Sequence, residues 1–151
     1  MRILKWTSPV LMVLSLIILS SADAAKIDKE DEKLRQARAA FEEIIDLWYE
    51  QKFDELYTKF AYKKGGKITK EKFTMRMRKE KKRLACCWQK IQDVKIKLSS
   101  SNQALISAKL GFEDQSQKVV YITTEIPLYL KDELWRIKIQ DILSTAPDLP
   151  E

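Results

Sequence analysis

From residue 34 the apolar positions are Leu34, Ala37, Phe41, Ile44, Ile45 and Trp48, in steps of three and four. An α-helix turns once in about 3.6 residues, so these side chains line one stripe and predict a helix with a single apolar face. A short second helix carries Phe53, Leu56, Tyr57 and Phe60, and Gly65-Gly66 breaks it. Thr69 can cap a third helix with Glu71 in its first turn, predicted to run to about Ala85 on a thin stripe of Phe73, Met77 and Leu84. Beyond Trp88 the period changes to two. Val94, Ile96 and Leu98 begin the alternation, followed by the runs Ala104 to Phe112, Val120 to Leu128, and Trp135, Ile137, Ile139. Polar turns at 99–102, 114–117 and 131–133 separate them. This pattern predicts a four-stranded antiparallel meander with one apolar and one solvated face. Gly111 inside a strand suggests a bulge or sharp bend, and Pro127 a break or an edge. The fold class expected is α+β, with N-terminal helices packed on a curved four-stranded antiparallel sheet.

Two local features carry a resemblance. One is the junction Leu47-Trp48-Tyr49-Glu50-Gln51-Lys52-Phe53-Asp54-Glu55-Leu56-Tyr57, and the other is the closing run Leu134-Trp135-Arg136-Ile137. Over roughly residues 34–143 the chain resembles the nuclear-transport-factor-2-like superfamily. The resemblance implies a cone of helices on a bent sheet. It implies no single function, because that superfamily includes isomerases, dehydratases and polyketide cyclases beside catalytically silent transport, assembly and secretion modules.

The first 24 residues read differently. Arg2 and Lys5 precede an apolar run, Val10 to Leu19, interrupted only by Ser15, and Ala22 and Ala24 supply an A-x-A cleavage pattern. A spanning helix needs about 20 apolar residues, and this run is about half as long. The division expected is a signal peptide at 1–24, a charged flexible lead at 25–33, one domain at 34–143 and a disordered tail at 144–151. An uncleaved anchor lengthened by Ile3 and Leu4 is the alternative. The address expected is outside the cytoplasm, periplasmic or secreted.

Composition then narrows the chemistry. The chain contains no histidine, which removes His-based acid–base dyads, Ser/His and Cys/His nucleophilic pairs, and His-containing zinc sites. KKGGK lacks the spacing of a phosphate loop, and no cofactor or metal is expected. What remains is carboxylate and phenol chemistry. Asp141 continues the Ile137, Ile139 alternation onto the apolar face, so it is either a buried acid or a solvated strand end. With Tyr57 and Trp48 it forms the set of pocket candidates. Cys86 and Cys87 are the only cysteines. They read as small buried hydrophobes, a bond to another chain, or a vicinal redox pair.

Charge is the strongest functional signal. Between Lys63 and Arg83 eleven basic residues face only Glu71 and Glu80, although the whole chain carries a net charge of only +6. Lys72, Arg76, Arg78, Lys79, Lys82 and Arg83 fan across the helix face opposite Phe73, Met77 and Leu84, as candidates for anion binding. The partner expected is an anionic envelope component or an acidic protein. A small apolar ligand in the cone is the further option. Nucleic acid is disfavoured, because no stacking aromatics interleave with the basic residues. The function expected is a non-catalytic exported binding module; the alternative is a small cofactor-free isomerase or dehydratase using Asp and Tyr.

Overall fold

A computed structural model describes the backbone of residues 11–62, 68–79, 83–114 and 116–145, with side chains from 27 onward. The chain divides into two units, residues 1–33 and 34–151. Helix α1 spans Leu11–Tyr49, so the charged stretch 25–33, expected to be a flexible lead, is helical. Residues 1–10 of the expected signal lie outside the described residues. Among the described residues no helix is long and apolar enough to cross a membrane.

In the second unit the apolar stripe of α1 is buried, from Ala37 through Phe41, Ile44 and Ile45 to Trp48. The helix ends because Gln51 takes a left-handed φ of 59°. The Gln51 N–H then donates to the Trp48 carbonyl at 3.0 Å, and the Lys52 N–H to the Leu47 carbonyl at 2.9 Å. This closure satisfies carbonyls that a helix end otherwise leaves open. Helix α2 (Phe53–Phe60) follows at once and buries Phe53, Leu56 and Phe60.

Helix α3 (Lys70–Lys79) starts where the sequence predicts. The Thr69 hydroxyl accepts the Lys72 N–H at 3.3 Å, and the Thr69 carbonyl accepts the Phe73 N–H at 2.9 Å. The helix ends earlier than the predicted Ala85. Residues 80–82 are not among those described, and Arg83–Leu84 form a short strand, β1. Leu84 is buried from the sheet, where its partner is Phe112, rather than from the helix.

The four expected strands are present: β2 (Ile91–Ser100), β3 (Gln103–Glu113), β4 (Val119–Lys131) and β5 (Leu134–Ile137). They form a curved antiparallel half-barrel in meander order, with β1 as a fifth strand. Strand β3 is its axis. Strand β4 pairs along its whole length on one side, from Gln103↔Tyr129 to Glu113↔Val119. Strands β2 and β1 lie end to end along the other side, β2 reaching Leu110 and β1 taking Phe112 and Glu113.

Gly111 holds no bulge, since the β3–β4 register runs through it unbroken. It marks a close approach instead. A Cβ there would lie 2.3 Å from the Gln89 carbonyl oxygen, inside any allowed contact. The irregularities sit in β2 instead: a bulge between Gln92 and Lys95, where Asp93 has a φ of 53°, and a second register shift between Leu98 and Ser100. Pro127 lies just before the Leu128–Lys131 stretch that β5 pairs, so β4 has no β5 partner at that point. A proline is tolerated on such an unpaired flank.

Strand β5 ends at Ile137, two residues earlier than the alternation implies, and helix α4 (Ile139–Thr145) takes over. Ile139, Ile142 and Leu143 are all buried, and their spacing is helical. Ser144 and Thr145, expected in the tail, therefore belong to α4; residues 146–151 lie outside the described residues. The four helices pack on the sheet and their apolar faces share one core.

Candidate functional site

Helix α3 separates its residues sharply by face. Phe73, Thr74 and Met77 are buried, while Lys72, Met75, Arg76, Arg78 and Lys79 are exposed. Two aromatic contacts seat the buried face. The Phe73 ring meets Phe53 edge-on at 6.3 Å and Tyr57 at 5.9 Å. The Tyr57 hydroxyl donates to the Ile68 carbonyl at 2.8 Å, which pins the chain entering α3. Asp54 holds the other flank: it accepts the Thr74 hydroxyl at 3.5 Å and pairs with Arg78 at 3.6 Å.

The exposed face is a groove. Ile68, Lys72, Met75, Arg76 and Lys79 line a volume of about 660 Å³. Met75 is 65% exposed and with Ile68 gives an apolar floor between cationic walls. No ion pair ties Lys72 or Lys79 to another described residue. Glu71, the acid of the first turn, is held below the usual carboxylate range by its own backbone N–H and by Thr69, so it stays ionised.

The six basic candidates are thus sorted by the fold. Lys72, Arg76 and Lys79 line one groove. Arg78 turns to Asp54, and Arg83 leaves the helix to stand opposite Glu113 in the sheet. Lys82 lies outside the described residues. Met75 and Ile68 were not in the set, because neither fits the apolar stripe nor carries charge.

The pocket candidates do not converge. Trp48 is 2% exposed and meets Phe112 edge-on at 5.8 Å inside the core. Phe41 and Trp135 are buried in the same cluster. The Tyr57 hydroxyl is engaged by Ile68. Asp141 lies on α4 and not on a strand. Burial pushes its carboxyl above the usual range, and Lys138 only partly opposes this. Its Oδ2 is buried without a hydrogen-bond partner.

Beside Asp141 the fold assembles a group that sequence reading missed. Tyr62 stacks on Tyr129 at 4.8 Å, and the Lys138 ammonium sits 4.6 Å from the Tyr129 ring centroid. The hydrogen bond with Tyr129 raises the Lys138 pKa, with smaller help from Asp141 and Tyr62. The β4–β5 register, Lys131↔Leu134 to Leu128↔Ile137, brings Lys138 to the Tyr129 ring.

On the solvated sheet face Lys95, Lys97, Ser107 and Glu125 border a shallow depression of about 270 Å³. Cys86 and Cys87 are not buried small hydrophobes. Cys86 is half-buried, Cys87 is exposed, and a disulfide joins them. Among the described residues no group of three or more His, Cys, Asp or Glu side chains could hold a metal ion.

No family model matches the chain, and comparison with curated proteins returns no match.

Proposed function

We propose that the protein is an exported, non-catalytic binding module that holds an anionic surface in the α3 groove. The observation that carries this is the groove itself: Lys72, Arg76 and Lys79 around the exposed Met75 and the half-buried Ile68. Cations on a rigid helix attract anionic headgroups, and a small apolar floor accepts the first carbons below them. The floor is too narrow for insertion, since Phe73 and Met77 are committed to the core. The order of helices then curved sheet supports kinship with the nuclear-transport-factor-2-like superfamily, as part of the same reading. The signal-like segment at 1–24 supports a periplasmic or secreted address.

Co-sedimentation with vesicles tests it. Binding to vesicles containing phosphatidylglycerol is expected, with none to purely zwitterionic ones. The affinity should fall steeply with salt, because the screening length is only about 10 Å at 0.1 M. The pair Lys72→Glu and Lys79→Glu should abolish binding without changing thermal stability. Equal binding to both vesicle types, or binding indifferent to salt, sinks the proposal.

A second reading rests on Asp141. A half-buried acid with a raised pKa beside Lys138, Tyr62 and Tyr129 has the groups for cofactor-free proton transfer. Its test is proton–deuterium exchange at carbon acids such as 3-ketosteroids: exchange lost in Asp141→Asn supports it, and no exchange by the native protein removes it.

A further inference from the structure

The link from β1 to β2 is a single 3₁₀ turn, Cys87–Gln89, preceded by Cys86. It presents the Cys86–Cys87 disulfide at the surface, with Cys87 exposed. Trp88, beside it, is 72% exposed, the most exposed of the large apolar side chains described. Cys87 is held at a φ of 58°, a region that side chains other than glycine seldom occupy. Strained backbone of this kind persists only where the surroundings impose it.

Both ends of the turn are tied to one residue, Gly111. The Ala85 N–H donates to the Gly111 carbonyl at 2.8 Å, and the Gly111 N–H to the Lys90 carbonyl at 3.3 Å. The Gln89 carbonyl fills the space that a side chain at 111 would take. Within the turn the Gln89 N–H donates to the Cys86 carbonyl at 3.0 Å. All these anchors are backbone groups, and none depends on the sulfurs.

We propose that Cys86–Cys87 is a thiol–disulfide exchange site selective for dithiol reductants, with the turn held on Gly111 in both redox states. A thiolate of the external dithiol attacks Sγ of Cys87, the more accessible sulfur, and forms a mixed disulfide. The S–S bond breaks, and the pair of electrons leaves on Cys86 Sγ, which takes a proton. The second thiolate of the reductant then attacks its own sulfur in the mixed disulfide and closes a ring. Cys87 departs as a thiolate and is protonated. Two electrons and two protons pass to the protein, and the dithiol becomes a cyclic disulfide. A monothiol has no second group, so the neighbouring Cys86 thiolate expels it and restores the original bond. This inference is independent of the α3 groove and of the cellular address.

The test compares dithiothreitol with glutathione at equal thiol concentration on the folded protein, followed by alkylation and mass measurement. Untreated, denatured protein should take up no label. Dithiothreitol should yield two labels with the far-ultraviolet circular dichroism unchanged, whereas glutathione should yield none and leave no adduct. With glutathione disulfide as the reagent, Cys86→Ser should take up glutathione on Cys87 as a stable adduct, releasing one reduced glutathione, and faster than Cys87→Ser takes it up on Cys86. If either variant fails to fold, the native comparison still decides. Free thiols in the untreated protein, equal opening by both reagents, a bond between chains, or reduction only after denaturation would each overturn the proposal.

Discussion

At the scale of single residues, Asp141 and Gly111 show environment deciding what a side chain means. Asp141 stands in the first turn of α4, where the helix dipole favours a carboxylate, yet burial dominates and raises its pKa. An acid with a raised folded-state pKa stabilises the fold below its unfolded value, and that contribution is lost as pH rises through the folded value. Asp141→Asn mimics the neutral acid. Its melting temperature should exceed that of the native protein at neutral pH, and the difference should vanish below the usual carboxylate range. Gly111→Ala drives a Cβ against a backbone oxygen that cannot swing aside. A loss of about 2–3 kcal/mol in urea unfolding is expected, the scale of an overpacked core. Sequence singled out both residues, and a buried acid was one of the two readings of Asp141, but its helix and the reason for Gly111 were missed. A glycine needed for a distant carbonyl looks the same, along the chain, as one needed for a bend.

Elements were legible where burial imposed a period, and not where it did not. The stripes of α1 and α2 and the alternation of β3 and β4 appear in the sequence because each packs one face on the core. The end of α3 was not legible, since the charged run after Lys79 has no apolar positions to mark a face. The β5 boundary failed for another reason: Ile137 and Ile139 fit a strand, and Ile139, Ile142 and Leu143 fit a helix, so one isoleucine served both patterns. Gln51 is a related case. It occupies the left-handed position at the end of α1, where glycine is the usual residue. Gln51→Gly should stabilise the protein by roughly 1 kcal/mol by relieving the Cβ conflict, measurable as a higher melting temperature. Thr69→Ala removes the α3 cap and should cost about 1 kcal/mol. If the groove depends on where α3 begins, the same change should also weaken vesicle binding.

Across the whole molecule, charge and apolar surface divide the labour. The excess of lysine and arginine between 63 and 83 was plain in the sequence, so the cationic half of the groove was foreseeable. The removal of Arg78 by Asp54 was not, because residues 24 apart meet only after α2 and α3 pack. Nor was the apolar floor, since Met75 is exposed by the same packing that buries Met77. Neutralising Asp54 as Asn should free Arg78 and strengthen vesicle binding at low salt, a gain that charge counting along the chain gives no reason to assign to that position.

The bulge at Asp93 has a bearing beyond the fold. Among the described residues strand β2 pairs only with β3, so its outer rim offers amides and carbonyls that another chain could complete. The bulge breaks the straightness that such templating requires, the exposed Lys95 and Lys97 repel a matching copy, and Arg38 occupies the Val94 carbonyl at 3.2 Å. Each of these opposes edge-to-edge pairing along β2. Replacing Lys95 and Lys97 with valine should leave the fold intact but speed thioflavin-positive aggregation, a vulnerability set by one kinked strand.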